Sequence, residues 1–252
     1  MSEQTLFKLR VKYVKEGRLR YLGHLELAHT IERVVRRAGL PYAVTQGFSP
    51  HMRVGFSSAL PVGTASECEW YDLYLTAYVP VSDALPALAA ATPWDMRPVC
   101  AAYVDVRTPA LTACITRAEY RIALTAAEGS LWTTSGLERA LGDLTAKGAI
   151  GYLRGRKRKT LDLQRTLLGY RATPVADPAG AVLELDTYMD NEGSLRPEIL
   201  LAALDLRLSD PARMDGDTDC GEEIVSTGTT SYRCFSRADI IRTRQWGEDF
   251  SL

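Results

Sequence analysis

Between Gly17 and Gly63 the chain reads GRLRYLGHLELAHTIERVVRRAGLPYAVTQGFSPHMRVGFSSALPVG, and this stretch constrains the fold more than any other. Leu27, Ile31, Val34, Val35 and Ala38 recur at helical spacing, while Glu26, His29, Arg33, Arg36 and Arg37 fall on the opposite side. That pattern predicts an amphipathic helix from about Leu25 to Ala38. Gly23 is placed to open it, and Gly39 followed by Pro41 ends it. Short strands from Tyr42 to Gln46 and from Met52 to Ser57 enclose the loop Gly47-Phe48-Ser49-Pro50-His51, and Leu60 to Gly63 is a turn. All three histidines of the chain, His24, His29 and His51, lie here. A segment this densely punctuated is no spacer, and a working surface is expected to begin in it.

The flanking pattern fixes the fold class. Phe7, Leu9, Val11 and Tyr13 alternate with Lys8, Arg10 and Lys12, which predicts a half-buried strand with a cationic face. Glu67 to Val79 alternates more clearly still: Tyr71, Leu73 and Leu75 share one face, and Trp70, Asp72, Tyr74 and Tyr78 share the other. A helix over Ser82 to Ala91 and a strand around Arg97 to Val106 complete the order strand, helix, strand, strand, helix, strand. The expected fold is therefore α+β, with two ferredoxin-like (split βαβ) domains and antiparallel sheets. Residues 1–108 form the first domain, Thr108-Pro109-Ala110 is the linker, and residues 112–252 form the second. In the second, Ile115 to Leu124, Ile150 to Leu153 and Ala181 to Tyr188 read as strands, Leu137 to Thr145 and Pro197 to Asp205 as helices, and Tyr232 to Trp246 as strand-like pieces. Asp210 to Glu223 is acidic and reads as a flexible loop.

Charge is strongly segregated. The net charge is −1, yet residues 1–55 and residues 150–171 each carry +6, which leaves −13 for the rest. Two basic blocks in an acidic chain point to a localised anionic partner. In the expected sheet, Lys8, Arg10 and Lys12 neighbour Trp70, Tyr74 and Tyr78. Cations among aromatics on an open face are the means by which RNA-recognition modules hold phosphates and stack bases. The same face buried under a second layer would be ordinary core, and the sequence is compatible with both. The basic run Arg154-Gly155-Arg156-Lys157-Arg158-Lys159, read as a loop, suits contact with a phosphate backbone.

Other chemistry is thinly represented. His24 or His51, in loops beside arginines, has the chemistry of a general acid/base for metal-independent RNA cleavage, or of a donor to phosphate. His24 and His29 stand about 140° apart round a helix, so they cannot chelate a metal together. No metal or other cofactor is expected in this chain. There is no Walker loop, no G-x-G-x-x-G and no G-x-S-x-G. Five scattered cysteines lack the C-x3-C-x2-C triplet of a radical SAM cluster, so this chain alone is not such an enzyme. They argue instead for a reducing cytoplasm. No apolar run approaches the roughly 20 residues of a membrane span, and MSEQTLFKLR lacks a signal-peptide layout, so no membrane association is expected.

The block RYLGHLELAHTIERVVRRAGLPYAVTQGFSPHMRVGFSSALPVG resembles the radical-SAM-linked family of uncharacterised bacterial proteins. Its members carry R-[FY]-x-S-H-L-D-x-x-R…ER-x-x-RRA-x-LP…TQGFNPHP…F-x-x-LP-x-G. The match is dense over residues 8–75 and continues at Leu161-Asp162-Leu163, Gly193 to Pro197 and Ile241-Arg242-Thr243. Arg20, His24, Leu25, Glu32, Arg33, Arg36, Arg37, Gln46, Gly47, Phe48, Pro50 and His51 fall on the signature. Gly23, Glu26, His29 and Ser49 replace the usual Ser, Asp, Arg and Asn. Without the serine, no catalytic use of that hydroxyl is expected. In that family the domain is fused to a B12-type radical SAM protein or encoded beside one, often near ribonuclease G and ribosomal-protein genes.

The resemblance and the charge pattern together imply an RNA-binding partner of a separate radical SAM protein, presenting tRNA or rRNA for modification. Arg20, Arg33, Arg36, Arg37, Arg154, Arg156, Lys157, Arg158 and Lys159 would hold phosphates. Gln46, Gly47, Phe48 and Pro50 would shape a pocket, with His24 and His51 ordering it or acting as catalytic groups. An RNA-processing enzyme using those histidines, or an adaptor docking the radical SAM subunit, are the alternatives.

Overall fold

The computed structural model describes residues 5–176, 179–190, 192–209, 224–226 and 231–250. The segment Asp210 to Glu223 lies outside the described residues. The fold is mixed α+β, with a large, mostly antiparallel sheet and a second sheet of two strands. The chain divides into two units: Met1–Thr116 with Arg244–Leu252, and Arg117–Thr243. Residues 244–252 therefore go with the first unit, whereas the sequence expectation counted them in the second.

The first unit contains β1 (Phe7–Lys15), α1 (His24–Arg37), β2 (Val54–Phe56), β3 (Ala65–Leu75), α2 (Val81–Ala91), β4 (Pro98–Val104) and α3 (Leu111–Cys114). Its strands lie in the order β4-β1-β3-β2, with antiparallel ladders throughout. Leu9, Val11 and Tyr13 of β1 and Tyr71, Leu73 and Leu75 of β3 form one sheet face. They pack against Leu27, Ile31, Val34 and Val35 of α1 and Ala84 and Leu88 of α2. The period-2 and period-3.6 stripes read from the sequence thus meet in one core. The segment Tyr42 to Gln46 is less regular than expected. It makes isolated bridges, Tyr42 to Leu75 and Val44 to Met52, in place of a strand.

The opposite sheet face decides, for its central residues, between the two arrangements with which the sequence is compatible. Lys8, Arg10, Trp70 and Asp72 are buried, with at most 5% of each exposed. Cross-strand register sets Arg10 opposite Asp72, and the guanidinium grips the carboxylate with Nε to Oδ1 at 2.8 Å and Nη2 to Oδ2 at 3.0 Å. Lys8 Nζ lies 3.3 Å from the same carboxylate and donates to the Thr108 carbonyl at 2.8 Å. The Phe250 ring sits 5.1 Å from the Arg10 guanidinium carbon and edge-on to Trp70. Burial opposes the Arg10 charge, but the hydrogen bonds and charge of Asp72 outweigh it and raise the pKa above its ordinary value. Burial pushes the nearby Cys114 thiol up, against the pull of Arg10. Beside this cluster, Glu69 accepts from Ser66 Oγ at 2.7 Å and from Gln245 Nε2 at 3.0 Å. Gln245 also donates to the Cys68 carbonyl. The first unit's own chain therefore covers Lys8, Arg10 and Trp70 of the cation–aromatic face, while Lys12 and Tyr74 are half-buried and Tyr78 is 58% exposed.

The second unit contains β5 (Arg117–Ala126), α4 (Thr134–Lys147), β6 (Ala149–Arg154), β7 (Lys157–Asp162), α5 (Leu163–Thr166), β8 (Leu167–Val175), β9 (Gly180–Asp190), β10 (Gly193–Ser194), α6 (Pro197–Ser209) and most of β11 (Phe235–Trp246). Strands β8, β9, β5 and β11 lie side by side in that order, and β6 and β7 form the separate two-stranded sheet. The Thr133 side chain caps α4 by accepting from the Gly136 amide, and Gly148 ends it at φ +80°. A Cβ at Gly148 would meet only the movable end of the Gln164 side chain, at 2.8 Å, so it is the backbone conformation that requires glycine. Buried Asp205 of α6 accepts from the amides of Arg233 and Cys234 at 2.7–2.9 Å and anchors the start of β11.

Two variants test these anchors. Asp72→Ala leaves two buried cations without their anion and lowers unfolding free energy by about 3–5 kcal/mol in urea denaturation. Asp205→Ala orphans the buried Cys234 amide and frees the part-buried Arg233 amide, and costs about 1–3 kcal/mol. Hydrogen exchange localises the first loss to β1 and β3 and the second to α6 and β11. A change below about 1 kcal/mol in either would refute the assigned role.

Candidate nucleic-acid interface

Burial of the Leu27, Ile31, Val34 and Val35 stripe leaves His29, Arg33, Arg36 and Arg37 on the exposed side of α1. The helix is opened by a half capping box: the Glu26 carboxylate accepts from the Gly23 amide at 2.8 Å. Arg33 Nε donates to the His29 carbonyl at 3.2 Å. Arg36 pairs with Glu32 one turn back at 3.4 Å and lies 5.9 Å from the Tyr42 ring. An exposed pair of this kind contributes about 0.3–0.5 kcal/mol, so it leaves the charge available to a partner. Arg20 is engaged differently. Its Nε donates to the Gly63 carbonyl at 2.6 Å, and the Gly63 amide donates back to the Arg20 carbonyl, which ties together the two ends of the motif block.

His24 is the first residue of α1, exposed, with its ring edge-on to Phe56 at 5.5 Å. His51 is also exposed. Its amide donates to Thr45 Oγ1 at 3.0 Å, and its carbonyl accepts from the Thr45 amide at 2.8 Å. These bonds close residues 45–51 into a loop whose members are all exposed. Gly47 takes φ +132°, and the Phe48 ring is wholly in solvent. Gln46 and Thr45 line a cavity of about 670 Å³ with Leu6, Val44, Arg53 and Val106. Arg53 was not singled out from the sequence. Its guanidinium carbon lies 4.1 Å from the centroid of Tyr74, a partner twenty-one positions away on β3. Only strand pairing brings the two together, so no local pattern signals it.

In the second unit the basic run forms a β-ribbon where the sequence suggested a loop. Strands β6 and β7 pair with Arg154 opposite Lys157, Leu153 opposite Arg158 and Tyr152 opposite Lys159. Gly155, at φ +62°, takes the first position of the two-residue turn, as a type II′ hairpin requires. Ile150, Tyr152, Leu161 and Leu163 are buried and hold the base of the ribbon, while residues 154–160 are all exposed. By alternation Arg154, Lys157, Lys159 and Tyr152 share one side, and Arg158 shares the other with Leu153. The base is further tied down: the Leu153 amide donates to the Ile224 carbonyl and its carbonyl accepts from Ser226, both at 2.8 Å. Arg196 bonds Ser226 and lies 3.4 Å from Glu198. Burial raises the Glu198 pKa, against the pull of Arg196 and Arg154. The α1 cations and the histidine loop thus belong to the first unit, and the ribbon to the second.

Among the described residues, no group of three or more His, Cys, Asp or Glu is arranged to hold a metal ion. No helix among them is long and apolar enough to cross a membrane. Among solved structures, the chain is similar to one in the "Crystal Structure of a Cbf5-Nop10-Gar1 Complex", at TM-score 0.45 and 10% identity. That likeness covers 95% of this chain and 50% of the other, so this chain spans about half its length. No curated protein matches the chain. The bacterial family described as "Uncharacterized protein conserved in bacteria (DUF2344)" matches over residues 8–197, and the chain belongs to that family.

Proposed function

We propose that this chain is an RNA-binding accessory protein that works in trans with a radical SAM enzyme, presenting tRNA or rRNA for modification in the bacterial cytoplasm. The observation that carries the RNA reading is the β6–β7 ribbon. Five cations in six consecutive residues, all exposed, stand on a ribbon whose base is held by buried apolar side chains. Such a structure tracks a phosphate backbone by charge, without reading sequence. The exposed Arg33, Arg36 and Arg37 of α1 add a second cationic surface. The radical SAM partner rests on the resemblance of the motif block, together with the absence of a cluster-binding cysteine triplet here. Cys100, Cys114 and Cys234 are thiols, in keeping with a reducing compartment.

We read each unit as a ferredoxin-like body. The order β4-β1-β3-β2 supports this for the first, and β11-β5-β9-β8 for the second, with the ribbon inserted after α4. RNA-recognition modules of this topology bind on the open sheet face. In the first unit that face is filled by the Arg10–Asp72 cluster, so phosphate contact falls to the cations of α1 and, in the second unit, to those of the ribbon.

Gel shifts of the full chain with tRNA and with rRNA fragments across a salt series test the RNA reading. Binding weakens as salt rises, with a log–log slope near −0.7 to −0.9 per phosphate contacted. Lys157→Gln with Lys159→Gln reduces the slope by about 1–2 and affinity by about 10-fold or more at low salt. Absence of binding at low ionic strength, or an unchanged slope in the double variant, would overturn it. A tagged chain expressed in its host retains a radical SAM protein on the resin; loss of that retention with RNA binding intact would remove the partner.

A further inference from the structure

We infer that the segment from Tyr42 to Val54 in the first unit is a receptor for a single unpaired RNA nucleotide; this deepens the RNA reading and rests on it. Singly exposed apolar side chains need no explanation. Phe48 differs in its setting, because the loop that displays it is closed by the Thr45–His51 bonds and stands two residues beyond Gln46, which lines the cavity. An aromatic ring held out on a fixed loop is a stacking platform for a base.

The cavity lined by Thr45 and Gln46 of the same loop has the composition a nucleotide requires. Its volume of about 670 Å³ lies within the roughly 300–1,000 Å³ of small-molecule sites. Leu6, Val44 and Val106 supply apolar walls for a flat ring. Gln46 supplies an amide with both donor and acceptor, the pairing that reads a base edge. Arg53 supplies a guanidinium already held over the Tyr74 ring, so its position is set before a phosphate arrives. The last turn of α1 adjoins this segment through Arg36 and Tyr42, which brings the cationic helix face to its edge.

The ligand is an unpaired nucleotide because the sequence-rich major-groove edges of an A-form duplex are out of reach of side chains, whereas a bulged or looped base is free to leave the stack. A protein partner fits less well: half of the named lining is polar or cationic, and the exposed helix beside it carries charge, not an apolar stripe.

The test uses the full chain and two RNAs, a 20-base-pair duplex and the same duplex with one unpaired nucleotide. The bulge tightens binding about 10-fold in the native protein. Phe48→Ala, which removes no packing because the ring is wholly exposed, abolishes that gain and leaves the paired duplex and its salt slope unchanged. Gln46→Leu alters the ranking of the four bulged bases. If neither RNA binds at low ionic strength, the RNA reading itself falls and takes this inference with it. If both bind equally, or Phe48→Ala weakens both alike, only the nucleotide receptor is overturned. A Phe48→Ala chain that keeps the bulge preference but releases the radical SAM protein would make the loop a protein anchor and overturn it as well.

Discussion

The first unit depends on one carboxylate. Asp72 stands in the middle of β3 between Arg10 and Lys8 of β1, all three out of reach of water. Dipoles and rings of the surroundings add to the pairing of Asp72 with these two cations. The Thr108 carbonyl accepts a hydrogen bond from Lys8, Tyr74 lies 5.7 Å from the ammonium, and Phe250 lies over the guanidinium. Close geometry of this kind is needed for such a cluster to offset its desolvation. It also fixes the pairing of β1 with β3, because a one-residue slip would carry Arg10 to the apolar face.

This cluster separates two uses of the same residue types. Cations on β1 stabilise the interior; cations on α1 and on the ribbon face solvent. The division follows from what each element buries. Strand β1 is covered on both faces, so all its residues are buried except Phe7 and Lys12, which are half-buried. Helix α1 has one covered stripe, so everything off the stripe is outside. A count of basic residues over 1–55 adds the two classes together and overstates the charge that a partner meets.

Much of the architecture was legible because periodicity is local. The stripe of α1 placed the helix within a residue of its observed ends, and the alternation in β3 assigned its two faces correctly. What escaped the reading was non-local. Arg10 and Asp72 are 62 positions apart, and nothing near either residue announces the other. Whether that face is open depends on Phe250 and α3, far along the chain. The ribbon was taken for a loop because lysines and arginines have little strand preference; its shape comes from the Gly155 turn and from apolar residues at the base. Strand β8 went unseen for a related reason. Most of its side chains are exposed and it contains Gly169 and Pro174, so it shows no apolar alternation.

Gln245 and Phe250 complete the first unit although 127 residues of the second unit separate them from Thr116. A ribosome adding about 5–20 residues per second takes on the order of ten seconds to cross that interval. Domains usually mature in the order they are made, but here the unit begun before the other is finished after it. Until Phe250 has been made and has left the ribosome, Arg10 and Trp70 lack the ring that shields them. A nascent or truncated polypeptide therefore presents to water, or to a chaperone, a charged and aromatic surface that the mature protein never shows.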